Sequence, residues 1–296
     1  MTVARASTIA PGRGLIYAGG VAALVTMHGK ERVIGPLVSR FLGIDLQLAP
    51  GIDTDRFGTF SRDVARTGTP TETARAKIAT ASDLMPDARV ALASEGSFGA
   101  HPMNPFLSVG REIVMLVDRA QGLELIGQHA TLNTNFSNAL VGDVESGFAF
   151  AAGIGFPAQG VIVVGCHDGL PAPDVALIKD IATPDQLRAA LTKVFGACGF
   201  AFVETDMRAH RNPHRMRAIK RATIDLIKCA RSPCPVCDRP GFVATQKPAG
   251  LPCVLCATPT RLPRADLIRC SGCAYQIERS VALTHADAAQ CDVCNP

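Results

Sequence analysis

Eight cysteines near the C-terminal end form four Cys-x-x-Cys pairs, separated by gaps of 15, 13 and 17 residues. The pairs are Cys234/Cys237, Cys253/Cys256, Cys270/Cys273 and Cys291/Cys294. Two intervening residues let both thiolates turn toward one ion, and two such pairs complete a tetrahedral site. The spacing therefore predicts two zinc ions. Four-thiolate sites keep no position open for water, so these ions are expected to stabilise the fold rather than perform chemistry.

The assignment of pairs to ions remains open at this stage. Joining the first pair to the second and the third to the fourth would resemble tandem zinc ribbons, whereas interleaved pairs would resemble a cross-brace. Iron–sulfur clusters are the rival, although they usually draw on other spacings. The remaining cysteines, Cys166, Cys198 and Cys229, are scattered. Crowding of paired thiols into one segment favours metal binding in a reducing compartment over a disulfide framework.

Polar residues that follow apolar runs are the upstream candidates for chemistry. Lys30 follows Gly29 between a predicted strand and a predicted helix, a position that suits an anion because the backbone can approach it closely. Glu31 could hold a divalent cation on that anion. Glu95 follows another predicted strand, where a carboxylate could bind Mg²⁺ or activate water. Ordinary polar turns are the alternative for both segments.

A basic stretch over residues 207–231 supplies the third candidate group. His214 and Arg215 open a predicted helix after Pro213. Cations at a helix N-terminus oppose the helix dipole unless an anion or a neighbouring acid compensates them. Glu204 and Asp206, just upstream, are candidate metal ligands or simple ion-pair partners.

The elements that must position these groups alternate between apolar strand-like runs and helical patterns, which predicts an α/β class. We expect a mixed-sheet body with flanking helices over residues 1–230 and a small zinc-ribbon-like module over 231–296. Strands are predicted at 21–27, 45–49, 88–94, 112–117, 123–127 and 160–164. Helices are predicted from the end of the polar loop at residues 28–31 to about Leu42, and at 70–85, 142–153, 184–195 and 213–229, the first kinked or divided at Pro36.

Composition narrows the function classes. Of the 296 residues, 47% are apolar, enough for a substantial core, and the formal charge of +4 is too small to argue for a nucleic-acid partner by itself. The apolar run over residues 15–27 is too short to span a bilayer. We expect a cytoplasmic protein without a membrane partner.

The order of these motifs resembles the inosine triphosphatase-like superfamily, pyrophosphatases that hydrolyse non-canonical purine nucleoside triphosphates. Thr26, Gly29, Lys30 and Glu31 are similar to its Thr-x-x-x-Gly-Lys-x-x-Glu-like opening, with the acid closer to the lysine. The further matches are Ala76-Lys77-Ile78, the turn Glu95-Gly96-Ser97, and Pro213-His214-Arg215, which is similar to the family's Ser-His-Arg helix start. The family's aromatic-Asp-Pro segment is not apparent, and the cysteine-rich tail is foreign to it.

The resemblance, which spans residues 20–228, implies a nucleotide substrate and Mg²⁺. Lys30 and Arg215 would hold phosphates, Glu31 and Glu95 would bind Mg²⁺, Glu95 or Asp206 would orient the attacking water, and His214 would contact the base. The whole layout also resembles an uncharacterised bacterial family with an α/β body and a cysteine-rich tail.

Two other interpretations of the tail stay open. In one, the chain is a non-enzymatic zinc-ribbon protein that binds nucleic acid or a protein partner through exposed arginines of the tail. In the other, the zinc tail only caps the body or mediates a homodimer.

Overall fold

The computed structural model describes residues 16–17, 19–58, 68–101 and 104–296. The chain divides into two compact units, Met1–Ile227 and Lys228–Pro296, a division three residues before the predicted boundary. Within the described parts of the chain, no helix is both long enough and apolar enough to cross a membrane.

A five-stranded mixed sheet with the order β2-β1-β3-β4-β5 forms the first half of unit 1. Its strands are β1 (Gly20–Val25), β2 (Ile44–Leu48), β3 (Val90–His101), β4 (Asn104–Asp118) and β5 (Leu123–Thr131). Strand β1 is parallel to both β2 and β3, while β3, β4 and β5 pair antiparallel. The predicted α/β class with a mixed sheet is confirmed.

Helices α1 (Glu31–Leu42) and α2 (Pro70–Leu84) cover opposite faces of this sheet. Ala74, Ile78 and Ala81 of α2 share one core with Ala91 and Ala93 of β3. Since side chains alternate along a strand, the even-numbered residues of β3 face the other side. The first connection leads from β1 to β2 and the second returns past β1 to β3, so the carboxyl end of β1 is a topological switch point, where open α/β sheets bind ligands.

Two details of these elements differ from the predictions. Strand β3 does not end before Glu95 but continues to His101, because the long hairpin with β4 supplies hydrogen-bond partners beyond the end of β1. Helix α1 runs through Pro36 without division. Pro36 leaves the carbonyl of Arg32 without its helical donor, and both residues are exposed.

The helix starts at Pro70 and Pro184 are confirmed. Thr69 and Glu72 form a complete capping box at the start of α2. Thr183 and Gln186 do the same for α4, which ends at Cys198. In each box the Thr hydroxyl accepts from a backbone amide, while the longer side chain accepts from the amide of the Thr.

A second sheet completes unit 1, with the order β6-β9-β7-β8. Its elements, with the last helix of the unit, are β6 (Asn138–Val141), α3 (Val144–Gly153), β7 (Val161–His167), β8 (Leu170–Ile181), α4 (Pro184–Cys198), β9 (Ala201–Thr205) and α5 (Pro213–Ala230). Only β7 and the helices were predicted. Strands β6 and β9 are short, and β8 contains Pro171 and Pro173, which a sheet tolerates at the edge that β8 occupies.

Unit 2 contains a three-stranded antiparallel sheet, β10 (Ala244–Gln246), β11 (Ala265–Arg269) and β12 (Gln276–Ser280). Much of the remainder consists of turns around the cysteine pairs. A unit with so little regular structure needs cross-links other than an apolar core.

Candidate functional site

Five charged side chains are buried together at the switch point. They are Lys30 (6% exposed), Lys77 (7%), Glu95 (3%), Glu112 (1%) and Arg215 (3%). We call them the buried charge cluster. Charged residues are almost never buried to this degree unless they are paired, and clusters of this kind concentrate at functional sites.

Glu95 faces α2, where Nζ of Lys77 lies 2.5 Å from its Oε1. Odd-numbered residues of β3 point to that side, as Ala91 and Ala93 show. Glu95 therefore lies on the face of the sheet that α2 covers, beyond the point where β1 ends. The carboxylate of Glu95 is thus paired with a cation at a position that water reaches poorly.

Arg215 approaches the cluster from the opposite face of the sheet. Its Nε donates to Oε1 of Glu112 at 2.6 Å and its Nη2 to Oε2 at 3.3 Å. A third donor, Nη1, binds the carbonyl oxygen of Met207. Such forked pairing fixes the guanidinium plane. Asn212 orients the residue further, because its Oδ1 accepts from the backbone amide of Arg215 at 2.9 Å.

Lys30, which immediately precedes α1, contacts strand β3. Its ammonium donates to the carbonyl oxygen of Ser94 at 2.7 Å. Burial, together with the positive charge of Arg215, lowers the pKa of Lys30 to about 8, against the opposing effect of Glu95 and Glu112. At pH 7 the side chain is therefore mostly charged, and a bound anion would favour that form further.

The cluster carries unequal numbers of opposite charges. Lys30, Lys77 and Arg215 are three cations, and Glu95 and Glu112 are two carboxylates. Within the described part of the chain, the cluster thus holds one more positive than negative charge in a poorly solvated place, which costs free energy unless an anion compensates it. An anionic ligand at this end of the sheet would remove that cost.

The structure thus brings together three of the predicted site residues, Lys30, Glu95 and Arg215, and places two others elsewhere. Glu31 begins α1 with its side chain 34% exposed, 3.9 Å from Arg32. Asp206 is fully buried and accepts from the Nε and Nη2 atoms and the backbone amide of Arg208.

His214 lines an open groove beside the cluster with a volume of about 500 Å³, within the range of small-molecule sites, roughly 300–1,000 Å³. Its lining includes Phe106, Leu132 and the polar segment over residues 133–137. Arg215 and Glu112 line a smaller pocket that shares His214 and residues 133–135 with the groove. Partial burial and the charge of Arg217 lower the pKa of His214, so its imidazole is neutral at pH 7.

Sequence reasoning did not select Glu112, and it assigned no role to Lys77 beyond the motif match. Glu112 opens the apolar run Ile113–Val117 of β4, a strand that lies between two others in the sheet. A carboxylate at the start of an apolar strand is the feature of the sequence that could have identified Glu112 as a site residue. Lys77 interrupts the buried face of α2 between Ala74 and Ile78, a similar signal.

In unit 2 the cysteines form two groups that could each hold a metal ion. One group is Cys234, Cys237, Cys270 and Cys273, and the other is Cys253, Cys256, Cys291 and Cys294. Four of the Sγ–Sγ separations run from 3.5 to 3.8 Å, and all four ligand atoms of each group lie within 4.8 Å of one another. Metal–sulfur bonds of about 2.3 Å place tetrahedral sulfurs about 3.8 Å apart. The pairing is the interleaved alternative, first with third and second with fourth.

The backbone around the pairs supports this ligand geometry. The amide of Asp238 donates to the carbonyl of Cys234, and the amide of Ala257 donates to that of Cys253. Asp238, Ala257 and Ala274 each follow the second cysteine of a pair with φ near +60°. The amide of Gly272 donates to Sγ of Cys270, and such bonds help lower the pKa of that thiol to about 6. The backbone amide at this turn therefore favours the thiolate of Cys270, the form that binds metals.

Comparison with known proteins identifies one family. The model of the family described as Domain of unknown function (DUF6671) matches residues 78–296, which include α5 and all eight paired cysteines. A search of curated proteins found no match to the chain.

Proposed function

We propose that this chain, which belongs to the family described as Domain of unknown function (DUF6671), is a metal-dependent nucleotide-binding hydrolase. Its proposed reaction is cleavage of non-canonical purine nucleoside triphosphates to monophosphate and pyrophosphate. The observation that carries the proposal is the buried charge cluster with its excess positive charge at the switch point. A polyphosphate supplies the missing negative charge.

In the proposed reaction, water attacks the α-phosphorus, and the bond from that phosphorus to the bridging oxygen breaks as pyrophosphate leaves. Lys30, Lys77 and Arg215 would bind the phosphate chain and offset the charge that develops on it. Glu95 would orient the water and accept its proton. Positioning and charge stabilisation supply most of the acceleration in this class of reaction. His214 would contact the base in the adjoining groove.

The carboxylates fit Mg²⁺ only together with the substrate. Glu95 and Glu112 already pair with Lys77 and Arg215, and a free divalent cation would add to the excess positive charge. Glu95 and Glu112, with Glu31 as the more exposed candidate, would hold an ion that arrives on the phosphate chain. Bound there, Mg²⁺ would offset the negative charge of the phosphate chain.

For unit 2 we propose two structural zinc ions. Eight Lys and Arg side chains stand against five Asp and Glu in Lys228–Pro296, and each zinc with four thiolates adds a net charge of about −2. The loaded module then has no excess of positive charge. Arg261 and Arg264 are moreover paired with Asp292 and Glu278. These charges favour a folding role for the metal over nucleic-acid binding.

The test of the enzymatic proposal is pyrophosphate release from a panel of nucleoside triphosphates, with zinc-loaded protein and Mg²⁺. We expect turnover of inosine or xanthosine triphosphate, and a rate about 10²–10⁴-fold lower for Glu95→Gln. Glu124→Gln is the matched control, because Glu124 also pairs with a cation, Arg75 at 2.7 Å, but on the exposed surface. No turnover of any nucleotide by the folded wild-type protein would remove the proposal.

A further inference from the structure

Two buried hydroxyl groups lie beside Lys30 without hydrogen-bond partners. Oγ of Ser94 and Oγ1 of Thr26 have no solvent contact, and nothing in the described parts of the chain donates to them or accepts from them. Ser94 as a whole is 1% exposed. A buried polar group without a partner lowers the stability of the folded state, so two of them close together require an explanation.

The strand register brings these two residues close together. Val25 of β1 pairs with Ala93 of β3 in parallel, Thr26 and Ser94 are the residues that directly follow, and neighbouring strands lie about 5 Å apart. The side chain of Ser94 points away from α2, because that of Ala93 points toward it.

This is the face from which Arg215 enters. Gly96 lies two residues beyond Ser94 on the same face, and a Cβ there would lie 2.7 Å from Nη2 of Arg215. Two residues along a strand span about 7 Å. The ammonium of Lys30 lies 2.7 Å from the carbonyl oxygen of Ser94. An ammonium has three N–H donors, and the described residues accept one of them.

We propose that the hydroxyls of Ser94 and Thr26 donate hydrogen bonds to one phosphoryl group of the substrate, held between Lys30 and Arg215. The inference deepens the proposed function, on which it rests, by naming two substrate-binding residues. A phosphoryl group offers several acceptor oxygens to donors on different sides and also compensates the excess positive charge. A neutral ligand or a lone internal water would satisfy the hydroxyls but would leave that charge in place.

The test compares Ser94→Ala and Thr26→Val with the wild-type full chain, zinc-loaded, by calorimetric titration with pyrophosphate and with inorganic phosphate. Each variant removes a donor to an anion, so the pyrophosphate dissociation constant should rise about tenfold. Thermal unfolding without ligand should be unchanged or shifted to higher temperature, since no partner is lost. Thr223→Val is the matched control: its buried hydroxyl donates to the carbonyl of Ile219, so this variant should lose stability but keep its affinity.

Unchanged pyrophosphate affinity in both variants overturns the inference, whatever happens to stability, and so does failure of both to fold, because it would reveal structural partners. The proposed function can fail separately. Hydroxyl-dependent pyrophosphate binding without nucleotide turnover would leave the inference standing and remove the hydrolase. Nucleotide turnover that neither substitution affects would support the hydrolase and remove the inference about the hydroxyls.

Discussion

Arg215 on α5 and Glu112 on β4, 103 residues apart in sequence, form a buried two-point ion pair, with Nε donating to Oε1 at 2.6 Å. The pair fixes the guanidinium at the switch point, and it joins the last helix of unit 1 to the central hairpin. Its loss should therefore affect both stability and substrate binding.

Glu112→Gln should destabilise unit 1 by about 3–5 kcal/mol, because it leaves the charge of Arg215 buried without its counter-charge. The exposed pair between Arg75 and Glu124 provides the comparison, and Glu124→Gln should cost about 1 kcal/mol or less. Urea unfolding followed by circular dichroism measures both. Equal, small effects would show that the Arg215 pair is solvated in solution.

Gly96→Ala should damage the site selectively. A methyl group there would lie 2.7–2.9 Å from Nη2 of Arg215 and from both carboxylate oxygens of Glu112, so the ion pair must move. We expect a loss of about 1–3 kcal/mol in unfolding free energy and weaker pyrophosphate binding. Gly99→Ala on the same strand is the control, because its Cβ would meet nothing within 4 Å among the described residues. Identical behaviour of the two variants would contradict the placement of Arg215.

Much of this site could be predicted from sequence, and the part that could not has a physical reason. Lys30 and Arg215 lie at the starts of helices, and Glu95 comes shortly after the apolar run Val90–Ala93 of β3. Local patterns show such positions. Glu112 lies inside a strand, and its importance depends on register with Gly96 across a long hairpin, which is a non-local relationship. The second sheet was missed for a similar reason, since β6 and β9 gain their stability from neighbours distant in sequence.

Acid should weaken unit 1 partly through Asp118, which is fully buried at the β4–β5 turn. Burial alone would raise the pKa of Asp118, but hydrogen bonds from Arg89 and from the amides of Gln121 and Ala120 lower it overall. The carboxylate therefore contributes stability that is present above about pH 4, its unfolded pKa, and is lost as pH falls through the lower folded pKa. In urea titrations from pH 7 to pH 2, Asp118→Asn should be less stable by about 2–4 kcal/mol at pH 7. The difference should shrink toward pH 2, and a constant one would contradict this assignment.

The number of zinc ions that each variant retains should distinguish interleaved from sequential ligand sets in unit 2. Cys234→Ser with Cys270→Ser removes ligands from one group, so the double variant should retain one zinc per chain. Cys234→Ser with Cys253→Ser affects both groups and should retain none. Mass spectrometry under native conditions counts the ions. Sequential pairing would give the opposite pattern, and chelation of both ions should unfold unit 2.

A crystal structure of the full chain with a non-hydrolysable inosine triphosphate analogue and Mg²⁺ tests the central claim most directly. The proposed function predicts the phosphate chain among Lys30, Lys77 and Arg215, with a phosphoryl oxygen within hydrogen-bond distance of Ser94 and the base in the groove beside His214. A phosphate chain bound on another surface, or an analogue that does not bind at saturating concentration, would contradict it.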